Sequence, residues 1–318
     1  MALAESVRER LALPVVAAPM FLVSGPEIVI AACKAGVIGG FPSLNARSLE
    51  ILDDWLQTIT EALAPTDAAT DGGVPAPFAV NLIVHKTNLR ADQDLELIKK
   101  YKAPIVITSV GHPGDIAEHV HGYGGIVFHD VINLRHARKA MEAGVDGIIL
   151  VCAGAGGHAG VLNPFTFVPQ VREFFDGTIL LAGGISNGRA VRGAEVLGAD
   201  LAYMGTRFIA TKESMAEDAY KEMIVEAEAK DIVYTDKVSG INANFMIESL
   251  RRAGMAPGEQ SQTPEIEIGD DEFKAWKQIW SAGQGVGEIL DVPRVQELVA
   301  RLKKEYDEAG KEESLTPD

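Results

Sequence analysis

The sequence contains few of the features that mark disulfide-rich, nucleic-acid-binding or metal-binding proteins. Its 318 residues include only two cysteines, Cys33 and Cys152, without metal-ligand spacing, so we expect reduced thiols and no metal site. The 29 Lys and Arg are outnumbered by 45 Asp and Glu, which gives a formal net charge of −16. This charge argues against nucleic acid or an anionic membrane surface as a partner.

Long apolar runs are also lacking. No stretch approaches the roughly 18 uninterrupted apolar residues of a membrane-spanning helix, and residues 1–10 carry acidic side chains and no apolar run typical of a signal peptide. We therefore expect a cytoplasmic protein with no membrane partner. The chain does contain 47% hydrophobic residues, ample for a sizeable core, and 32 glycines, which cluster after apolar runs.

Apolar, strand-like runs alternate with amphipathic helical stretches along the first two thirds of the chain. Strands are predicted at 15–18, 37–40, 78–82, 105–109, 125–129, 147–151, 178–182 and 201–204. Helices are predicted at 26–35, 48–63, 93–101, 114–121, 134–143, 167–175 and 189–197 and in a long stretch after 211. A doubly wound sheet also alternates, but eight regular units favour closure into a (β/α)₈ TIM barrel.

The rhythm changes after residue 213. Charge-laced helical patterns at 215–230, 244–253 and 273–279 surround a turn-rich acidic stretch, which predicts a small, mostly helical cap over residues 214–279. A final amphipathic helix is predicted at 292–306, with a solvated acidic tail after it. We therefore assign 1–213 and 280–318 to the barrel.

The most informative stretch is 151–160, directly after the sixth strand. Four glycines and three alanines surround a single histidine, His158. Small residues let the backbone lie flat against a ligand, and a histidine past a strand end is well placed for proton transfer near neutral pH. The alternative is a glycine-rich turn with an incidental surface histidine. Cys152 in the same stretch is interpreted as a packed small residue.

Two further glycine-containing stretches, 181–188 and 203–208, follow the seventh and eighth strands. In barrels these two loops commonly form a phosphate site from backbone amides and a helix N-terminus. Gly183 and Gly184 would let amides approach the phosphate, and Gly205 with the Thr206 hydroxyl would complete the site. The alternative is a pair of plain tight turns.

The first and third strand ends could line a flat ring. Ala18, Pro19 and Met20 form a rigid turn with a thioether side chain, although Met20 could equally be core filler. Asn81 is the only polar side chain in 78–84, and its amide offers a donor and acceptors to a heterocycle with an imide edge.

Together these stretches resemble the nitronate monooxygenase family of FMN-dependent barrels. The resemblance spans nearly the whole chain and keeps motif order, in the pieces 18–20, 80–82, 155–160, 182–185, 204–208 and 281–284. It implies that His158 acts on the substrate. It also implies FMN contacts from Ala18, Pro19, Met20, Asn81, Asp130, Gly156, Gly157, Gly183, Gly184, Ile185, Tyr203, Met204, Gly205, Thr206 and Gln284.

Two positions depart from many members of that family. Asp130 ends the fifth strand where many relatives carry a lysine near the flavin, and Gly154 stands where many carry a glutamate. Both departures change the charge beside the ring, and His129 next to Asp130 could also line the pocket.

The resemblance implies oxidation of alkyl nitronates by O₂ to carbonyl compounds and nitrite. Two alternatives stay open, an NAD(P)H-dependent FMN reductase of a quinone or enoyl thioester and a non-redox barrel isomerase that binds a sugar phosphate. The expected partner is a small-molecule substrate, and a homodimer is left open.

Overall fold

The structure is a computed structural model that describes residues 3–65, 74–238, 240–255 and 279–311. Eight parallel strands close into a barrel in which each strand pairs with the next and the last pairs with the first. The barrel strands are β1 (Val15–Ala17), β2 (Ile38–Pro42), β3 (Phe78–Ile83), β4 (Ile105–Ser109), β5 (Ile126–Val131), β6 (Gly147–Val151), β8 (Thr178–Ala182) and β9 (Leu201–Met204). A two-residue strand outside the barrel, β7 (Gly157–His158), lies between β6 and β8 in the chain. The predicted TIM barrel is confirmed.

Helices follow the barrel strands and form the outer layer. Around the barrel these are α2 (Pro26–Lys34), α3 (Leu49–Ala62), α4 (Ala91–Lys100), α5 (Ile116–His121), α6 (Leu134–Glu142), α7 (Pro164–Arg172) and α8 (Gly188–Leu197), preceded by the short α1 (Glu5–Arg8). Asparagine and serine side chains accept hydrogen bonds from the first-turn amides of several of these helices, which fixes where they begin. These caps are Ser48 on α3, Asn133 on α6, Asn163 on α7 and Asn187 on α8.

Side chains along each strand point alternately into the barrel and out towards the helices, which divides the core into two clusters. Val16, Ile107 and Leu180 belong to an inner cluster that fills the barrel. Their neighbours point outwards to a larger cluster between strands and helices. The inner cluster also contains Leu3, with Val7 packed against it. The N-terminal segment therefore closes one end of the barrel and leaves the carboxyl ends of the strands for the site.

The last part of the chain returns to the barrel after an insertion. The short α9 (Thr206–Ile209) follows β9, and α12 (Val295–Ala309) packs against α8 and α2, in the place of the eighth barrel helix. The insertion contains α10 (Asp218–Glu226), β10 (Ile232–Thr235), β11 (Ala243–Met246) and α11 (Ile247–Arg252). The division into barrel and cap stays a prediction.

One predicted element of the cap is wrong at its start. A helix was predicted from residue 244, but Ala243–Met246 is a strand, and the helix begins at Ile247. Strand β11 pairs antiparallel with β10 and with β7, so the three form a small sheet. The four-residue strand was missed because it runs directly into the helix without a turn signal. The helix predicted at 273–279 lies almost wholly outside the described residues.

Candidate active site

A cavity of about 530 Å³ opens at the carboxyl ends of the barrel strands, where barrel enzymes keep their chemistry. Its floor is made by inward-facing strand residues, including Asn81, Asp130 and Tyr203. Its walls are the loops after the strands, and part of its roof comes from α10 and from residues 279–281. The volume is typical of a small-molecule or cofactor site.

Most of the side chains and glycines predicted from the sequence lie together around this one cavity. The residues brought together are Ala18, Pro19, Met20, Asn81, Asp130, Gly156, Gly157, His158, Gly183, Gly184, Ile185, Tyr203, Gly205 and Thr206. They come from six different strand ends and the loops that follow them, so only closure of the barrel makes them neighbours.

Met204 and Gln284 do not line the cavity. Met204 alternates with the inward-facing Tyr203 and is therefore buried in the outer layer, at 1% exposure. Gln284 instead supports the loop around Gly154. Its backbone N–H donates to the Gly154 carbonyl at 2.9 Å, and a Cβ on Gly154 would lie 3.0 Å from the Gln284 Oε1. Gln284 thus occupies the space into which a side chain at position 154 would grow.

His158 lies on β7 and is held by the cap sheet. It pairs with Ala243 of β11, and the amide of the adjacent Ala159 donates to the Asn242 carbonyl. Burial lowers the pKa of His158 below the ordinary histidine value, because the charged imidazolium loses its hydration. At neutral pH the side chain is therefore a neutral imidazole that can accept a proton.

Two residues that the sequence did not single out hold the same loop. The buried Asn244 donates from Nδ2 to the Ala155 carbonyl at 2.6 Å, and the Tyr234 hydroxyl donates to the Ala159 carbonyl at 2.9 Å. Both belong to the β10–β11 hairpin and lie 89 and 75 residues further along the chain than the carbonyls they contact. Nothing local in the sequence connects them with the histidine loop, since the contact depends on how the insertion folds back.

Asp130 is the next-to-last residue of β5 and lines the cavity floor. Burial raises the pKa of this carboxyl to about 7, against the opposing effect of a hydrogen bond from the Val110 amide. Val110 has φ +55°, a strained conformation for a β-branched residue, of the kind found at ligand sites. The turn after β4 is thus bent so that a backbone amide meets the carboxyl.

His129 does not line the cavity, because its side chain points outwards from the strand. It is 5% exposed, and its Nδ1 lies 2.8 Å from the Thr108 hydroxyl oxygen. Burial lowers its pKa to about 4. It is therefore a neutral core histidine between β4 and β5.

Two hydrogen bonds that the side-chain amide of Asn81 donates fix the orientation of this side chain. Its Nδ2 donates to the Ile107 carbonyl at 3.0 Å and to the Ser109 hydroxyl at 2.8 Å. These two bonds use both donors of the amide. The carbonyl oxygen of the side chain is then the group that Asn81 can offer to a ligand in the cavity.

The glycine loops form a backbone surface at one side of the cavity. Gly183 and Gly184 have φ +128° and +69°, which favour glycine. A Cβ on Gly183 would lie 2.9 Å from the Ala153 carbonyl oxygen, and one on Gly156 would lie 2.8 Å from the Gly283 nitrogen. Side chains are therefore excluded where the loops meet, and the amides stay accessible to a phosphate.

The loop after β1 is held by Asn45, another residue that the sequence did not single out. Asn45 donates from Nδ2 to the Met20 and Ser24 carbonyls and accepts from the Leu22 amide at 2.9 Å. Leu22 has φ +60°, so these bonds fix a conformation that a leucine rarely adopts.

The roof of the cavity is largely apolar. Tyr220 stacks on Trp280 with ring centroids 4.9 Å apart and planes at 11°, and the Tyr220 hydroxyl donates to the Ser281 carbonyl. Met215 and Leu22 also line the cavity. This wall suits the alkyl or ring portion of a substrate.

The described ranges lack two features that would indicate other functions. No helix in them is both long and apolar enough to cross a bilayer. They also contain no group of three histidine, cysteine or carboxylate side chains arranged to hold a metal ion. Cys33 and Cys152 are free and buried.

Comparison with known proteins decides the family. A model of the family described as nitronate monooxygenase matches residues 7–305. The chain belongs to the nitronate monooxygenase family. It is accordingly an enzyme and an oxidoreductase.

The relatives that resemble this chain are named for more than one activity. The nitronate monooxygenase of Paraburkholderia phytofirmans is 28% identical over 87% of this chain and 84% of its own. A Mycobacterium tuberculosis protein, (3aS,4S,5R,7aS)-5-hydroxy-7a-methyl-1-oxo-octahydro-1H-indene-4-carboxyl-CoA dehydrogenase, is 29% identical over 77% of this chain and 67% of its own. Family membership therefore leaves the substrate to be argued from the site.

A solved structure supports the same fold. The nitroalkane oxidase of Streptomyces ansochromogenes superposes with a TM-score of 0.81 at 22% identity, covering 96% of this chain and 99% of that one. At this identity the likeness shows the fold alone.

Proposed function

We propose that this chain is an FMN-dependent enzyme that oxidises the nitronates of alkyl nitro compounds with O₂, giving carbonyl compounds and nitrite. The observation that carries the proposal is the position of His158, a neutral imidazole in the same cavity as the glycine loops. Membership of the nitronate monooxygenase family supports it, as does the name of the Paraburkholderia relative.

The residues present fit FMN. The loops after β8 and β9 offer amides without side chains at Gly183, Gly184 and Gly205, which suits one phosphate group. The Asn81 carbonyl oxygen is available at the cavity floor for the N–H of an imide edge. The chain has no Gly-x-Gly-x-x-Gly turn after its first strand, which a dinucleotide such as FAD commonly uses.

When bound, FMN would supply the electron transfer between substrate and O₂. The protein would bind and orient the substrate and would accept its proton. A neutral His158 can remove the acidic α-proton of a nitroalkane, and the imidazolium so formed can hold the anionic nitronate. The apolar wall at Tyr220 and Trp280 would keep the alkyl part of the substrate out of water.

Anaerobic mixing of the FMN-loaded protein with candidate reductants tests the proposal. A nitroalkane nitronate should bleach the visible absorbance of the flavin, and neither NADH nor NADPH should do so. Bleaching by NADH or NADPH and none by the nitronate would contradict it. A purified protein that carries no flavin would favour a non-redox barrel.

A second candidate is a flavin-dependent oxidoreductase of a thioester. The named activity of the Mycobacterium relative on a carboxyl-CoA compound favours it. An acyl-CoA thioester that exchanges electrons with the flavin under the same anaerobic conditions would identify this activity.

A further inference from the structure

Asp130 is a cavity residue that the proposed proton transfer to His158 does not use. It lies at the floor with Asn81 and Tyr203, and the Val110 amide donates a hydrogen bond to its carboxyl. Burial raises the pKa of this carboxyl to about 7, because the carboxylate form loses hydration. The floor therefore carries a group that can gain or lose a proton close to neutral pH.

The other titratable side chains around Asp130 differ from it in position or in charge. Those of the described cavity lining are His158, Tyr203, Glu217 and Tyr220. Burial lowers the pKa of His158 and raises the pKa of both tyrosines, so all three are neutral near pH 7. Glu217 lies exposed, where water and salt screen its charge. Behind the strand, His129 points to the helices and has a pKa of about 4, and His112 and His136 act on its charge there.

The proposed cofactor site brings the flavin ring to the same floor. The phosphate would lie at the loops after β8 and β9, the seventh and eighth strands of the barrel, and the imide edge of the ring at Asn81 on the third. Asp130 belongs to the fifth strand, which lies between these two positions around the barrel. Electrons that reach the ring would therefore place negative charge close to the Asp130 carboxyl.

We propose that Asp130 takes up a proton when the bound flavin is reduced, so that electrons and a compensating proton enter the cavity together. This inference rests on the proposed function and adds a second proton acceptor to its site. Two electrons and one proton added to the oxidised ring leave it with one more negative charge. A second proton, taken from water, forms the O–H bond of the Asp130 carboxylic acid and cancels that charge. The electrons come from the substrate in turnover and from an electrode in the test below.

This uptake follows from the electrostatics of a buried carboxylate. A second negative charge at short range disfavours the ionised form, because like charges repel strongly where water is excluded. The pKa of Asp130 is already about 7 without that charge and would rise further, so the carboxylate gains a proton at a pH where it was ionised before. An entering nitronate would act on the carboxyl in the same way, so Asp130 is compatible with an anionic substrate.

The midpoint potential of the FMN-loaded protein tests the uptake without any turnover. It would be measured at an electrode with mediator dyes, without O₂ or substrate, at about pH 5.5 and about pH 8.5, below and above the pKa of Asp130. At the lower pH the carboxyl is protonated in both redox states, so Asp130→Asn should change the equilibrium constant for reduction by less than about threefold.

At the higher pH only the unmodified protein has to protonate a carboxylate in order to be reduced. Asp130→Asn should then favour reduction by a further factor of about 10 to 30, since about 1.5 pH units above the pKa correspond to a factor of about 30. His158→Ala should keep the pH dependence of the unmodified protein, because the proton goes to Asp130. Asp54→Asn removes a carboxylate from the exposed side of α3, away from the cavity, and should change the constant by less than about twofold at both pH values.

An effect of Asp130→Asn that is the same at both pH values would overturn the inference, as would a pH dependence that His158→Ala removes and Asp130→Asn keeps. If Asp130→Asn does not load FMN, the unmodified protein still decides. Above about pH 7.5 its equilibrium constant should fall about a hundredfold per pH unit, for two protons, and a tenfold fall, for one proton, would overturn the inference. The proposed function fails separately, when neither a nitroalkane nor its nitronate bleaches a flavin that shows this second proton.

Discussion

His158 combines a fixed position with a lowered pKa. The backbone pairing with Ala243 sets its place, and burial keeps the ring neutral at pH values where a solvated histidine would begin to ionise. A general base needs both properties, since it must be aimed at the substrate and must be unprotonated when the substrate arrives.

His158→Ala should reduce kcat/KM for a neutral nitroalkane by about 10²–10⁴-fold. With preformed nitronate the loss should be much smaller, because no proton has to be removed. The FMN content should not change, since the proposed phosphate site lies on other loops. His119→Ala on the exposed side of α5 is the matched control and should leave all three quantities unchanged.

Equal and large losses with both substrate forms would show that His158 acts by stabilising charge rather than as a base. In the unmodified enzyme, the rate with a neutral nitroalkane should decline only below the usual histidine pKa of about 6.5, because the folded-state pKa is lowered. A decline beginning well above that pH would contradict the assignment.

Asp130 makes the stability of the fold depend on pH. Its folded pKa of about 7 lies above the unfolded value of about 3.9, so the folded state binds the proton more tightly. Stability should therefore fall as pH rises from about 4 to about 7 and then level off. Asp130→Asn removes this penalty. Its gain in Tm over the unmodified protein should be a few degrees at about pH 8.5 and smaller at about pH 5.5.

A gain in Tm that is the same at both pH values would show that the carboxyl is not held protonated by the fold. Asp54→Asn is the control, because it removes a carboxylate from the exposed side of α3, away from the cavity. Its change in Tm should be the same at both pH values.

At the scale of elements, the glycine loops and the cap hairpin have different tasks. The loops after β8 and β9 line the cavity with backbone, whereas the β10–β11 hairpin holds the loop that carries His158. Substitutions in the glycine loops should release the cofactor. Substitutions in the β10–β11 hairpin should slow the reaction while the cofactor stays bound.

Gly184→Val should release FMN from a folded barrel. The added Cβ would point into open space within the cavity lining and obstruct a phosphate there, and φ +69° would also force the loop to move. Gly114→Val is a matched control, because Gly114 has φ +60° and open space around its Cβ but does not line the cavity.

Flavin content after gel filtration, with circular dichroism to confirm folding, measures the effect. Gly114→Val should retain the flavin of the unmodified protein. Stoichiometric FMN in Gly184→Val would show that the phosphate is bound elsewhere.

Asn244→Ala should lower kcat for a neutral nitroalkane while FMN stays bound. The variant loses the 2.6 Å bond to the Ala155 carbonyl and leaves that buried carbonyl unsatisfied, which costs about 1–3 kcal/mol. The histidine loop would then be less well fixed. Asn133→Ala, which removes the cap of α6 on the outside of the barrel, costs comparable stability and should leave kcat unchanged. Equal kcat values for both variants would show that the hairpin does not position His158.

The sequence predicted the barrel because each strand and helix has its own local signal. Apolar runs alternate with stretches of helical periodicity around the whole barrel, and the observed bounds differ from the predicted ones by a few residues at most for nearly every element. Strand alternation explains why two residues considered from the sequence do not line the cavity. Met204 and His129 each neighbour an inward-facing residue and point the opposite way.

Other parts of the site could not be predicted because they depend on contacts between distant segments. Asn45 holds the loop after β1 from another strand end, and Asn244 reaches the histidine loop from the insertion. The β10–β11–β7 sheet exists only because the insertion folds back onto residues 157–158. Such pairings leave no periodic signal in a single sequence.

At the scale of the whole molecule, the barrel and the insertion together make the site. The insertion follows α9 and forms part of the roof of the cavity. After the insertion, α12 packs against α8 and α2. Residues that line one cavity therefore range from Ala18 to Gly285. This arrangement accounts for a family match that extends over residues 7–305, rather than over the barrel strands alone.

The central claim is that this chain, with bound FMN, oxidises alkyl nitro compounds by means of O₂. The most direct measurement is the yield of nitrite and butanal from 1-nitrobutane in air, with FMN-loaded protein and no added nicotinamide. We predict that both products form in equal amounts and that His158→Ala nearly abolishes them. The absence of nitrite from a fully FMN-loaded protein that oxidises NADH or NADPH in the presence of a thioester or quinone would contradict the claim.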